Sequence, residues 1–188
     1  GNSESVSGSG STVSATQFLV PELNQLLRSF QIRSMVDIPC GDFNWMQHVD
    51  LDGIQYIGAD IVDDLISANR EQFPGVNFEV MNLISDPLPR VDLVLCRDCL
   101  FHLPDALIMQ ALQNIRRSGS RFLLTTTFAW KSLPNKEGRL GDWRRLNLEL
   151  PPFNLPPPAE SIIEGTYRDK SMALWPVYQL PQGLDTRQ

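Results

Sequence analysis

Apolar residues recur along the chain with two alternating periods. Leu19, Leu23, Leu26, Leu27 and Phe30 follow helical spacing. Pro21 is tolerated in a first turn, so this helix should begin near Val20. Residues 35–39 form a short apolar run that predicts a strand, followed by a turn at 40–42 and a helix over 43–48. Residues 54–59 predict a second strand. Asp63 then caps a helix through Arg70, with Leu65, Ile66 and Phe73 facing inward. A third strand, 76–81, alternates, with Val76, Phe78 and Val80 on one side. Residues 91–96 are nearly all apolar, the mark of a strand covered on both faces. Pro104 opens a helix whose stripe is Leu107, Ile108, Ala111, Leu112 and Ile115, and Gly119 closes it. Residues 121–127 predict a fifth strand.

Strands alternating with helices imply a parallel sheet with crossover connections. Beyond residue 128 the periodicity is lost until two last strand candidates, 161–166 and 171–180. Their short link makes them an antiparallel pair at the sheet edge. The fold class is therefore α/β: a Rossmann-like open sheet of five parallel strands plus a terminal antiparallel pair, helices on both faces. Residues 1–14 are Ser/Gly-rich and read as a flexible arm or lid; residues 15–188 read as a single domain. An aperiodic stretch as long as 128–160 in a compact domain is usually functional.

Composition adds few constraints. The 188 residues are 42% hydrophobic and 20% charged, ordinary for a globular protein. The net charge of −6 argues against a general nucleic-acid binder. No run of 18 apolar residues and no signal peptide is visible, and Cys40, Cys96 and Cys99 read as reduced thiols, so a cytoplasmic protein is expected. Cys40, Cys96, Cys99 and His102 include metal-ligand types. However, Cys96 ends an apolar strand, where a thiol behaves as a small hydrophobe, and no metal is expected.

Ligands of open α/β sheets bind at the carboxyl ends of strands. Here those ends carry Pro39 to Trp45, within the run Asp37-Ile38-Pro39-Cys40-Gly41-Asp42-Phe43-Asn44-Trp45, then Asp60-Ile61, Asn82-Leu83, Cys96 to His102 and Thr126 to Trp130. A glycine turn after one strand and a carboxylate ending the next are how such folds hold a nucleoside: backbone approaches at the turn, and the acid accepts from ribose hydroxyls. Asp42 caps the helix after the turn or touches the ligand. Asp98 positions or deprotonates an acceptor group, or forms an ion pair with its neighbours. His102 is a candidate general base. Trp130, Trp143, Arg144 and Arg145 in the aperiodic stretch could form an acceptor pocket, or pin that stretch to the core.

This order of features resembles the class I S-adenosylmethionine-dependent methyltransferases over about residues 36–127. The first motif keeps its acid, Asp37, and only the middle glycine, Gly41; Pro39 and Phe43 stand where glycines are usual. That departure disfavours a dinucleotide, whose pyrophosphate needs close approach at more than one glycine. The resemblance implies S-adenosylmethionine as cofactor, with Asp37, Pro39, Gly41, Asp60, Ile61 and Arg97 around it and Asn82 and Leu83 at the adenine. Within it, Asp37 orders the motif, although a purely structural buried carboxylate fits the residue as well. His102 would orient the helix that follows. The implied activity is methyl transfer to a small molecule or glycan, at oxygen. A non-catalytic cofactor- or partner-binding domain is the alternative, and a nicotinamide-dependent oxidoreductase fits less well.

Overall fold

The structure is a computed structural model and describes residues 4–129, 134–165 and 169–182. Seven strands form one sheet in the order β3-β2-β1-β4-β5-β7-β6. Strands β1 (Ser34–Asp37), β2 (Gln55–Asp60), β3 (Asn77–Val80), β4 (Leu93–Cys96) and β5 (Phe122–Phe128) are mutually parallel. Strand β7 (Lys170–Pro176) runs antiparallel between β5 and β6 (Glu160–Ile163). The terminal pair is thus inserted in reverse: the last strand lies inside and β6 forms the edge.

Both faces are covered because the parallel strands are apolar on both sides. Leu93 and Leu95 join one cluster with Leu19, Leu23, Leu26 and Leu27 of α2 (Leu19–Ser29) and Ile66 of α3 (Asp63–Gln72). Val94 and Cys96 point the other way, toward Ile108, Ala111, Leu112 and Ile115 of α4 (Asp105–Arg117). Each fully buried large aliphatic side chain contributes about 2–3 kcal/mol of transfer free energy. Between β5 and β6 no helix forms among the described residues. Leu146, Leu148, Phe153 and Leu155 of the irregular segment are buried in the core instead. Trp175, wholly buried in β7, ties this segment down by donating its indole N–H to the Pro156 carbonyl at 2.7 Å.

Three local expectations change. Residues 43–48 do not form an α-helix: only a short 3-10 turn, Met46–His48, is present. Phe43 takes a left-handed φ of 59° and packs its ring among Tyr56, Phe73 and Phe78. Asp63 is the first residue of α3 rather than its cap; the Val62 N–H is satisfied by Asp60 Oδ1 at 3.1 Å. Val80 is exposed although Phe78 is buried, because β3 is an edge strand. Phe78 lies opposite Gly58, where a Cβ would meet its ring at 2.6 Å.

Candidate functional site

The turn after β1 can be read donor by donor. Cys40 N–H donates to the Ala59 carbonyl at 2.8 Å and Phe43 N–H to the Cys40 carbonyl at 3.4 Å. Gly41 N–H donates to Asp60 Oδ2 at 3.2 Å, and Asp42 N–H to Ser7 Oγ at 2.8 Å. Every N–H from residue 40 to residue 43 therefore has a protein acceptor, and the turn offers no cluster of vacant donors for a phosphate. Gly41 has a φ of 58°, and a Cβ there would collide with Ser7 Oγ. The close approach that requires this glycine is made by the chain's own N-terminal segment.

That segment, residues 4–16, lies across the turn and includes a one-turn helix, α1 (Val13–Thr16). Asp42 Oδ2 accepts from Ser5 Oγ at 2.7 Å and from Val6 N–H at 2.8 Å. Glu4 Oε1 accepts from Val13 N–H and from Asn44 Nδ2, and Asn44 Nδ2 also donates to the Ser11 carbonyl. Burial alone would raise the Asp42 pKa, but the bonds from Ser5, Asn44, Val6 and Ser7 outweigh it and hold the carboxyl below its ordinary value. Asp42 thus latches the N-terminal segment rather than capping a helix.

Between this segment and the ends of β1, β2 and β4 lies a cavity of about 260 Å³, whose lining includes Ser7, Ser11, Asp37, Pro39, Cys40, Gly41, Trp45, Asp60, Arg97 and Asp98. Asp60 and Asp37 are both buried. Each Asp60 oxygen holds one backbone N–H and keeps a lone pair for a ligand hydroxyl. Burial lifts the Asp37 pKa to about 7, against the opposing effects of the Tyr56 hydroxyl, which donates to it at 2.9 Å, and of Arg97. The buried Cys40 thiol is pushed up and stays protonated.

Arg97 and Asp98, at the end of β4, sit in a compact charge cluster. Glu164 Oε2 accepts from Arg97 Nη2 at 2.6 Å and pairs with Lys170 Nζ at 3.1 Å. Lys170 Nζ also reaches Asp98 at 2.8 Å. Arg97 donates to the Gly10 carbonyl at 3.0 Å, and its guanidinium lies over the Trp45 ring, 5.2 Å from the centroid. Two cations and two anions balance, which makes their burial tolerable. Glu164 Oε1 is buried without a hydrogen-bond partner. Asp98 has a φ of 51°, a strained conformation for a residue with a Cβ, and is fixed by bonds to and from Thr126 Oγ1. Burial pushes its pKa up, but Arg97 and Lys170 more than reverse this and keep it ionised.

A second cavity, about 330 Å³, lies under the irregular segment and is lined by Phe128, Asn135, Lys136, Trp143, Arg144, Arg145 and Asn147 among others. Trp143 packs edge-on against Phe101 and Phe128. Arg144 pairs with Asp105 at 2.5 Å and donates to the carbonyls of Leu103 and Lys136. Arg145 pairs with Asp169 at 3.1 Å.

The structure brings Asp37, Pro39, Gly41, Asp60, Arg97 and Asp98 together around the first cavity, and Trp143, Arg144 and Arg145 around the second. Ile61 is exposed and absent from the lining. Asn82 folds its own loop, accepting from Ile84 N–H and donating its N–H to Asp86, and Leu83 is buried in the core; neither lines the first cavity. His102 lines neither cavity; its ring packs on Phe101, and its carbonyl accepts from Gly141 N–H, joining the irregular segment to the entry of α4. Trp130 lies outside the described residues. Sequence reasoning missed Ser7, Ser11, Glu164 and Lys170, while Trp45, in a segment expected at the strand ends, does line the first cavity. For Lys170 a signal existed: a lone cation opening the apolar run Met172-Ala173-Leu174-Trp175. Among the described residues no group of three or more His, Cys, Asp or Glu could hold a metal ion, and no helix is long and apolar enough to cross a membrane.

Residues 36–122 match the family model described as "Methyltransferase domain". No curated protein sequence matches the chain. Among solved structures, the magnesium protoporphyrin IX methyltransferase from Synechocystis PCC 6803 with bound S-adenosylmethionine superposes with a TM-score of 0.62 at 16% identity, over 86% of this chain and 78% of that one. A mitomycin 7-O-methyltransferase gives 0.62 at 17% identity, over 84% and 53%. A "possible exported protein" from Bordetella parapertussis gives 0.51 at 16% identity, over 63% and 44%. The chain thus spans about half the length of two of these three proteins. The segment that matches the methyltransferase-domain model carries the motif turn, Asp60 and Arg97, and the sheet around it has the fold of these S-adenosylmethionine-dependent methyltransferases.

Proposed function

We propose that the chain binds S-adenosylmethionine in the cavity beside Asp60 and transfers its methyl group to a small molecule or glycan, at oxygen. The carrying observation is the first cavity itself: Asp60 keeps acceptor capacity for ribose hydroxyls, while every N–H of the adjoining turn is already bonded. That combination suits a nucleoside without phosphates and disfavours a nicotinamide dinucleotide. When bound, the cofactor supplies an activated methyl group on a sulfonium sulfur, which the acceptor oxygen displaces in line.

The residues then have distinct tasks. Asp60 accepts from the ribose hydroxyls, and Pro39 and Gly41 form the backbone wall. Asp37, buried beside the cavity, favours a cationic ligand because such a charge stabilises its ionised form. Asp98, held ionised by Arg97 and Lys170, is a weak base; it orients the acceptor hydroxyl by accepting its hydrogen bond, and the proton leaves to solvent. His102 positions the entry of α4 instead of carrying protons. Trp143, Arg144 and Arg145 contribute to the acceptor side. Three free cysteines, two of them buried, suit a reducing cytoplasm.

Calorimetric titration with S-adenosylhomocysteine and with NAD tests the cofactor assignment. Binding of the first and not the second is expected, and the reverse overturns it. Transfer of labelled methyl groups to cell-extract fractions tests catalysis. Cofactor binding with no transfer to any fraction selects the non-catalytic alternative.

A further inference from the structure

The N-terminal segment is attached to the cavity at three places. Asp42 holds Ser5 and Val6; Asn44 Nδ2 donates to Glu4 and to the Ser11 carbonyl; Arg97 donates to the Gly10 carbonyl. These anchors come from the turn after β1 and from the end of the adjacent strand β4, so the segment lies along the cavity as a strap. Val6, Ser7 and Ser11 form part of the lining. Ser7 Oγ accepts from Asp42 N–H, which holds this hydroxyl at the cavity wall.

We propose that this strap is a working wall of the cofactor site. The hydroxyls of Ser7 and Ser11 contact the bound cofactor, and docking of the strap through Asp42 and Arg97 is thermodynamically linked to cofactor binding. The inference rests on the cofactor reading above. A ligand that touches both strap and sheet binds the docked form more tightly than the undocked one and so shifts the population toward it. The Ser/Gly composition keeps the free strap flexible, which gives the ligand an entry route that a rigid cover would deny. Gly41 has its place in this device: any side chain there would push Ser7 out.

The test combines amide hydrogen exchange over residues 5–12 with calorimetric binding of S-adenosylhomocysteine, on the full chain. Saturating ligand should slow strap exchange, and Asp42→Asn should speed it and weaken binding about five- to tenfold. Because Asp42 adjoins the motif glycine, Ser5→Ala is the discriminating variant. Ser5 shares the latch but does not line the cavity, so it weakens binding only through the strap, by about threefold. Thermal unfolding of both variants checks that the domain is intact. If the unaltered chain binds no S-adenosylhomocysteine, the cofactor reading and the strap fail together. If it binds, and either strap exchange ignores the ligand or Ser5→Ala binds like the unaltered chain, the strap proposal alone fails.

Discussion

The cavity beside Asp60 and the cavity beneath Trp143 are similar in size, about 260 and 330 Å³, yet they are built differently. The first is bounded by the ends of parallel strands, which fix Asp37, Asp60 and Asp98 through backbone geometry. Its Arg97 and Asp98 are tied into a cluster with Glu164 and Lys170 in which two cations meet two anions, so their positions are stiff. The second is bounded mostly by an irregular segment held by side chains, with Arg144 pinned to Asp105 and Arg145 to Asp169. A site on strand ends suits an invariable ligand such as a cofactor, whereas one on an irregular segment can vary without disturbing the sheet.

The largest predicted effect lies in the first region. Glu164→Ala leaves Arg97 and Lys170 buried with one counter-charge, Asp98, and should cost about 3–5 kcal/mol of stability in urea denaturation. A loss below about 1 kcal/mol would break the contrast drawn above. Next comes ligand binding: Asp60→Ala should weaken S-adenosylhomocysteine binding about 100-fold, the loss of two strong acceptor interactions. Trp143→Ala should leave that affinity within about twofold, since the two cavities share no lining residue.

The third prediction concerns pH. Asp37 has a folded pKa of about 7, above the ordinary 3.8, so the folded state holds its proton where the unfolded chain has released it. Its contribution to stability therefore falls as pH rises from about 4 to about 7. The carboxyls with lowered pKa, Glu4, Asp42, Asp92 and Asp98, have ordinary values of 4.5 and 3.8 in the unfolded chain, so most of their stabilisation is in place by pH 5. Between pH 5 and 7.5 the denaturation midpoint should decline, and Asp37→Asn should flatten that slope; an unchanged slope counts against a titrating Asp37. The smallest effect is expected for Arg145→Ala. Its half-exposed pair with Asp169 should be worth less than about 1 kcal/mol, read from the shift in thermal midpoint.

Residues governed by strand ends were legible in the sequence, because strand ends follow from periodicity and ligands gather there. Asp37, Gly41, Asp60, Arg97 and Asp98 all follow from that rule. What escaped depended on contacts distant in sequence. Nothing near Glu164 says that it faces Arg97 across the sheet, and the reversed insertion of β7 that brings them together is a matter of topology. Ser7 escaped for another reason. Its composition reads as flexible, and its docking rests on two polar atoms of Asp42 rather than on any apolar pattern. Asn82 and Leu83 show the limit of motif position: a loop closed by Asp86 turns them away from the cavity.

Arg97 meets Gly10 from one end of the chain and Glu164 from the other. A polypeptide emerging from the ribosome therefore carries every residue that lines the first cavity by position 98, well before its charges are balanced. Until residue 164 is made, the guanidinium has Asp98 as its acidic neighbour and lacks the buried Glu164. The outline of the pocket precedes its electrostatic completion, which waits for the reversed strand pair.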